Sequence, residues 1–156
     1  LCGDSAGAHL AVSLSRYLKD HENIKLHSQC LIYPMCDPEC DSESHKIFKQ
    51  GYLLTYDAMK WFWEKFSFGE SDIKDSTFNL MINNTTIHYP RTIIVTAGFD
   101  PLVDEAEKFA FLLHENDNDV IQLHYPSLFH GFASMTRLKS AKLAVDDFLR
   151  EYKEIL

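Results

Sequence analysis

Three short apolar runs alternate with helical periodicities along this chain, and that alternation limits the folds open to it. The runs cover residues 27–33, 91–97 and 119–125. Run 91–97 (RTIIVTA) is dense in β-branched residues and ends at Gly98, as expected of a strand covered on both faces. Pro34 and Pro126 follow the other two runs and are expected to stop them, because proline cannot donate to a ladder. Residues 5–18 read as a helix with Ala6, Leu10, Ala11, Leu14 and Leu18 on its inner side and Val12 widening that face. Residues 34–51 are polar and read as loop. Thr55 reads as the N-cap of a helix, with Asp57 in its first turn and Met59, Phe62, Trp63 and Phe66 at i, i+3, i+4, i+7 spacing. Further helices are expected at 102–115 and 139–152, the last turning Ala141, Val145, Phe148, Leu149 and Tyr152 inward. Strand–helix alternation of this kind predicts an α/β fold, a parallel sheet with helices on its faces.

Composition narrows the function classes. The chain has 156 residues, 46% of them hydrophobic, which excludes wholesale disorder. Its net charge of −8, without a basic block, argues against nucleic acid or an anionic membrane surface as partner. No apolar run approaches the roughly 18–20 residues of a transmembrane helix. Cys2 and Cys30 sit in strand-like contexts and read as buried, reduced thiols. Cys36 and Cys40, even with nearby His45, fall short of a four-ligand metal site, so no metal is expected. Asn83-Asn84-Thr85 and Asn84-Thr85-Thr86 match the glycosylation sequon, which matters only in a secretory compartment.

The chemistry is concentrated at the front of the chain, in Gly3-Asp4-Ser5-Ala6-Gly7. A nucleophilic Ser in G-x-S-x-G stands on a strained strand-to-helix turn, and glycines two residues either side leave room for the close strand and helix. The helix N-terminus adds positive potential, and the backbone N–H of Ala6 is placed to stabilise an oxyanion. The pentapeptide alone is a weak signal. It gains weight because an apolar helix follows at once, and because the remaining partners come in the expected order. Asp100 follows the strand RTIIVTA, and His130 follows DVIQLHY and precedes Gly131-Phe132. All three would stand on the carboxyl edge of the sheet. Ser5 would attack an acyl carbonyl, His130 would move the proton, and Asp100 would orient the imidazole and stabilise its charged form.

GDSAGAHLA, YPMCD, GYLLTYDAM, TIIVTAGFDPLVDEA and HGF, in that order, resemble the hormone-sensitive-lipase-like esterases of the α/β-hydrolase superfamily. The likeness runs from the first residues to at least Phe132, and Asp-Pro-Leu-x-Asp-Glu favours this family over the prolyl-oligopeptidase-like peptidases. The resemblance implies a carboxylic-ester hydrolase acting on small esters, short acyl chains among them; Ser, His and water would complete the cycle, so no metal or organic cofactor is expected. It places nucleophile, acid and base on Ser5, Asp100 and His130. It also implies a cap and acyl-pocket segment around residues 37–66; from the aromatic residues themselves, Trp61 and Trp63 are the pocket candidates. Cysteine use and the family together suggest a cytoplasmic protein. One departure is large: the family's upstream His-Gly-Gly motif, source of most oxyanion donors, has no counterpart in these residues. The chain 1–156 is therefore expected to be the C-terminal half of an α/β-hydrolase domain, with the N-terminal half of the sheet absent and Leu1 cutting the nucleophile strand. In isolation it is expected to fold poorly and to be inactive.

Blander readings stand beside these. Alone, Ser5 fits an ordinary helix-capping turn and Asp100 a turn residue before Pro101. Asp104 and Glu105 read as residues that cap a helix and meet its dipole. Asp4 reads as a structural hydrogen-bonding residue. His21, His27, His45, His88, His114 and His124 read as surface or loop residues, and His9 as packed within its helix. The Met59, Phe62, Trp63 and Phe66 stripe reads first as core. Amidase or peptidase chemistry on the same fold remains open, as does a non-catalytic relative of the kind found in the gibberellin-receptor branch. Retention of His130 speaks against the latter.

Overall fold

The structure, a computed structural model, describes residues 1–21, 23–83 and 87–156. Four strands, β1 (Cys2–Asp4), β2 (Ser28–Ile32), β3 (Arg91–Phe99) and β4 (Val120–Phe129), pair in parallel and lie in chain order. Among the described residues five α-helices accompany them: α1 (Ala6–Leu18), α2 (Glu43–Ile47), α3 (Tyr56–Phe66), α4 (Val103–Glu115) and α5 (Lys139–Lys153).

Side-chain alternation along the two central strands sorts the core into layers. Leu31 and Ile94 face α1 and α4, where they meet Ala8, Ala11, Val12, Phe109, Ala110 and Leu113. Cys30, Ile32, Ile93, Val95 and Ala97 face the other way, toward Ala141, Ala144 and Phe148 of α5. Covering both faces is what the continuous apolar runs require. A third cluster, Met35, Cys40, Met59, Trp63, Phe78 and Leu102, ties α3 to the segments that leave the ends of β2 and β3. Thr55 caps α3 as the sequence suggests, its Oγ1 accepting from the Ala58 N–H at 3.2 Å.

Several local expectations change. Helix α1 is rotated relative to its expected face: Leu10 and Leu14 are exposed, and Ala8, His9, Ala11, Val12, Ser15 and Arg16 are buried. The reason is close approach. A Cβ on Gly3 would lie 2.2 Å from the Gly7 carbonyl oxygen, so small residues face the sheet and the leucines turn out. Pro126 lies inside β4 rather than at its end. An edge strand tolerates proline, and a register shift against β3 accommodates it. Residues 34–51 are not wholly loop, because Ser42 caps the short helix α2 by accepting from the His45 N–H. Leu149 of α5 is exposed, whereas Ala144 is buried. Cys2 is exposed on the short strand β1, and only Cys30 of that pair is buried. Both sequons extend into residues 84–86, outside the described residues.

Candidate active site

Ser5 sits between β1 and α1 with φ 53° and ψ −119°, a left-handed backbone that non-glycine residues enter only at a cost of roughly 1–2 kcal/mol. The turn is held from both sides. The Ser5 N–H donates to the Ile32 carbonyl at 2.9 Å, and the Ser5 carbonyl accepts from Ala8 and His9 at 3.1 Å. Gly3 is sterically required here. Gly7 is less so, since its added Cβ would meet only Asp4 Oδ1, at 3.9 Å, among the described residues. Ala6 opens α1, so its N–H has no acceptor within the helix and is available to a ligand.

Asp100 leaves the end of β3 and His130 leaves the end of β4, on adjacent parallel strands. The Asp100 side chain is 1% exposed and that of His130 9%. Asp100 Oδ1 accepts from the Leu102 N–H at 2.9 Å, and Oδ2 stands 2.7 Å from His130 Nδ1. His130 Nε2 stands 2.9 Å from Ser5 Oγ. An ionised carboxylate only accepts, so Nδ1 donates to it and Nε2 is left to accept the Ser5 hydroxyl proton. Gly131, with φ 83°, turns the chain away beyond the imidazole. The Tyr33 ring packs 4.5 Å from the His130 ring, and its hydroxyl donates to Asp4 Oδ2 at 3.4 Å. Burial and the Asp4 carboxylate push the Tyr33 phenol well up, which keeps it a donor.

A cleft of about 400 Å³ opens beside Ser5 between α1 and α3. Leu10, Met35, Met59, Phe62 and Phe66 give it apolar walls, and Lys65 adds one charge. His9 also lines it. Its Nδ1 lies 2.9 Å from the Met35 carbonyl, and burial pushes its pKa down to about 4, so the ring is neutral near pH 7. The expected tryptophans are not in this wall. Helical phase turns Trp61 outward to half-exposure and Trp63 into the core against Phe78, while Phe62 and Phe66 take the cleft side. A groove of about 530 Å³ between β4 and α5 is larger but contains none of Ser5, Asp100 and His130.

Two residues that the sequence assigned to surface or capping roles are buried beside Asp100. His45 is fully buried rather than exposed. Glu105 does not cap α4. It is buried and accepts the N–H groups of Cys36 and Asp37 at 2.6 and 3.1 Å. Asp104 accepts from the Ser44 N–H at 2.8 Å. The hint in sequence was the pair of acidic residues directly after Asp-Pro-Leu, which also fits a capped helix. His124 belongs to β4, half-exposed, with Nδ1 3.2 Å from Glu107 and 2.9 Å from Thr96 Oγ1.

A family profile described as alpha/beta hydrolase fold matches residues 1–134. The chain belongs to the alpha/beta hydrolase fold family. Its membership agrees with the motif resemblance and with the parallel sheet. Among similar family members, carboxylic ester hydrolase LipN of Mycobacterium tuberculosis is 29% identical, over 91% of this chain and 39% of its own length. The ethyl acetate hydrolase of Pseudomonas putida is 27% identical, over 85% and 42%. A thermostable esterase of Pseudomonas putida superposes with a TM-score of 0.88 at 25% identity, covering 92% of this chain and 47% of that one. This alpha/beta hydrolase chain spans less than half the length of these relatives. Among its described residues no helix is long and apolar enough to cross a membrane, and no cluster of His, Cys, Asp and Glu has the makings of a metal site.

Proposed function

We propose that this chain carries the nucleophile, base and acid of a serine hydrolase that cleaves carboxylic esters through an acyl-Ser intermediate. One observation carries the reading: the unbroken hydrogen-bonded line Ser5 Oγ, His130 Nε2, His130 Nδ1, Asp100 Oδ2. Relatives named as ester hydrolases support the substrate class. His130 takes the Ser5 proton as Oγ attacks the ester carbonyl, then gives it to the leaving alcohol. Water, deprotonated by the same imidazole, then attacks the acyl-enzyme; the acyl–Oγ bond breaks, the imidazolium returns the proton to Ser5 Oγ, and the carboxylic acid leaves. Asp100 stays ionised and steadies the imidazolium. The Ala6 N–H donates to the developing oxyanion. The segment 37–66 serves as cap and acyl wall, and the 400 Å³ apolar cleft suits short acyl groups. No nucleic-acid partner is required. Four unpaired cysteines suit a cytoplasmic setting.

The test is a fluorophosphonate probe applied to the complete gene product, with a panel of short acyl esters and matched amides. Labelling of Ser5, lost in Ser5→Ala, together with ester turnover is expected. Turnover confined to amides would move the assignment to an amidase or peptidase. Absence of Ser5 labelling would leave a binding protein.

A further inference from the structure

A buried polar strap runs behind Asp100 and joins it to the nucleophile turn. The Ser44 hydroxyl donates to the Pro101 carbonyl at 2.6 Å, one residue past Asp100. Ser42 Oγ lies 3.0 Å from Ser44 Oγ and 2.7 Å from His45 Nδ1. His45 Nε2 faces Glu105 Oε2 at 3.6 Å, with side chains 1% and 2% exposed. Glu105 Oε1 holds the N–H groups of Cys36 and Asp37. The neighbouring Met35 N–H reaches the Ser5 carbonyl at 3.4 Å.

Proton counting fixes the direction of this chain. A carbonyl only accepts, so the Ser44 proton points at Pro101. The Ser42 proton must then point at Ser44. His45 Nδ1 must in turn donate to Ser42, which leaves Nε2 of the neutral ring as a bare acceptor. Among the described residues, Nε2 and Glu105 Oε2 are both buried without another hydrogen-bond partner. They face each other just beyond hydrogen-bond range, and a closure of roughly 0.5 Å brings them into contact. One proton on Glu105 satisfies both. Burial pushes the Glu105 carboxyl up and the His45 imidazole down, which agrees with a neutral pair.

We propose that Ser44, His45 and Glu105 are positioning residues for Asp100, linked by a single shared proton and holding the Asp100 turn at a fixed distance from the Ser5 turn. The proposal rests on the Ser5–His130–Asp100 reading. A misplacement of about 1 Å can cost about 100-fold in rate, so loosening the strap should lower kcat and leave KM nearly unchanged.

The experiment compares Glu105→Gln, Glu105→Leu and Ser44→Ala in the complete gene product. The readouts are kcat, KM and the low-field proton resonance of His130 Nδ1–H. Glu105→Leu and Ser44→Ala are expected to lower kcat roughly 10–100-fold at similar KM and to shift or broaden that resonance. Glu105→Gln is expected to rescue both, because its amide oxygen still accepts from Cys36 and Asp37 while its N–H₂ donates to His45. If Glu105→Leu fails to fold, Ser44→Ala and Glu105→Gln still decide. Unchanged kcat and resonance in Ser44→Ala, or a Glu105→Gln defect as deep as that of Ser44→Ala, would overturn the proposal. A parent protein that does not react at Ser5 overturns the hydrolase reading instead, while the resonance still reports on the strap.

Discussion

Gly98 and Pro126 lie so close across β3 and β4 that a Cβ on Gly98 would fall 2.3 Å from the Pro126 carbonyl oxygen. The ladder pairs Ala97 with Tyr125 and then Phe99 with Phe129, so β4 takes four steps where β3 takes two. That excess brings Asp100 and His130 out of the sheet within 2.7 Å of each other. Gly98→Ala must push the strands apart at this point. We expect it to cost about 1–3 kcal/mol of stability and to lower kcat more than a mutation of equal cost elsewhere. Thermal unfolding and steady-state kinetics on the same preparation check both halves. Wild-type kcat in a destabilised variant would separate the bulge from the site.

Asp100→Asn tests the charge at the end of the proposed triad. The amide is nearly isosteric, so the Leu102 N–H keeps its acceptor. With the amide oxygen kept on Leu102, the N–H₂ group faces His130 Nδ1 and selects the wrong tautomer, and no carboxylate charge compensates the imidazolium. A loss on the order of 10⁴ in kcat is expected, with the fold intact by circular dichroism. A loss of only a few-fold would remove Asp100 from the proposed mechanism.

How much of the fold and of the proposed site is legible in the sequence follows from which interactions are local. Ser5, Asp100 and His130 were legible as candidates because each lies in a short local motif, Gly3-Asp4-Ser5-Ala6-Gly7, Asp100-Pro101-Leu102 and His130-Gly131-Phe132. The strand elements were legible because they too are marked by short-range patterns. The facing of α1 was not, because the close contact of Gly3 with Gly7 decides which side meets the sheet, and leucine spacing carries no trace of it. His45 and Glu105 were missed because their burial depends on α2 folding back against α4, a long-range event. Pro126 misled because proline stops central strands but not an edge strand with a register shift.

Phe62 tests the cleft wall. It is half-exposed on α3 and lines the cleft beside Ser5, whereas Trp61 on the same helix does not. Truncation to Ala removes apolar wall without opening a core cavity. Phe62→Ala is expected to raise KM for butanoyl and aryl esters by about 5–10-fold, corresponding to roughly 1–1.4 kcal/mol of lost contact, with kcat little changed. Trp61→Ala should leave KM within about twofold, on the ordinary scale of exposed substitutions. An acyl-length profile for both variants separates the assignments, and a larger KM effect at Trp61 would restore the original pocket expectation.

His9 makes stability depend on pH in a direction that can be worked out. Its pKa falls from 6.5 to about 4 in the fold, mainly because burial disfavours the imidazolium. Between those values the unfolded chain binds a proton that the folded chain refuses, so stability falls as pH drops from about 6.5 toward 4. The slope approaches 1.4 kcal/mol per pH unit, and the full contribution is on the order of 3 kcal/mol. His9→Asn keeps an N–H₂ donor toward the Met35 carbonyl and does not titrate. His45 and Glu105 titrate equally in both proteins and cancel in the difference. Urea unfolding at pH 7.5 and pH 5.0 should therefore show the parent losing about 2 kcal/mol relative to His9→Asn on acidification. A difference that stays constant between the two pH values would mean that the buried ring titrates like a free one.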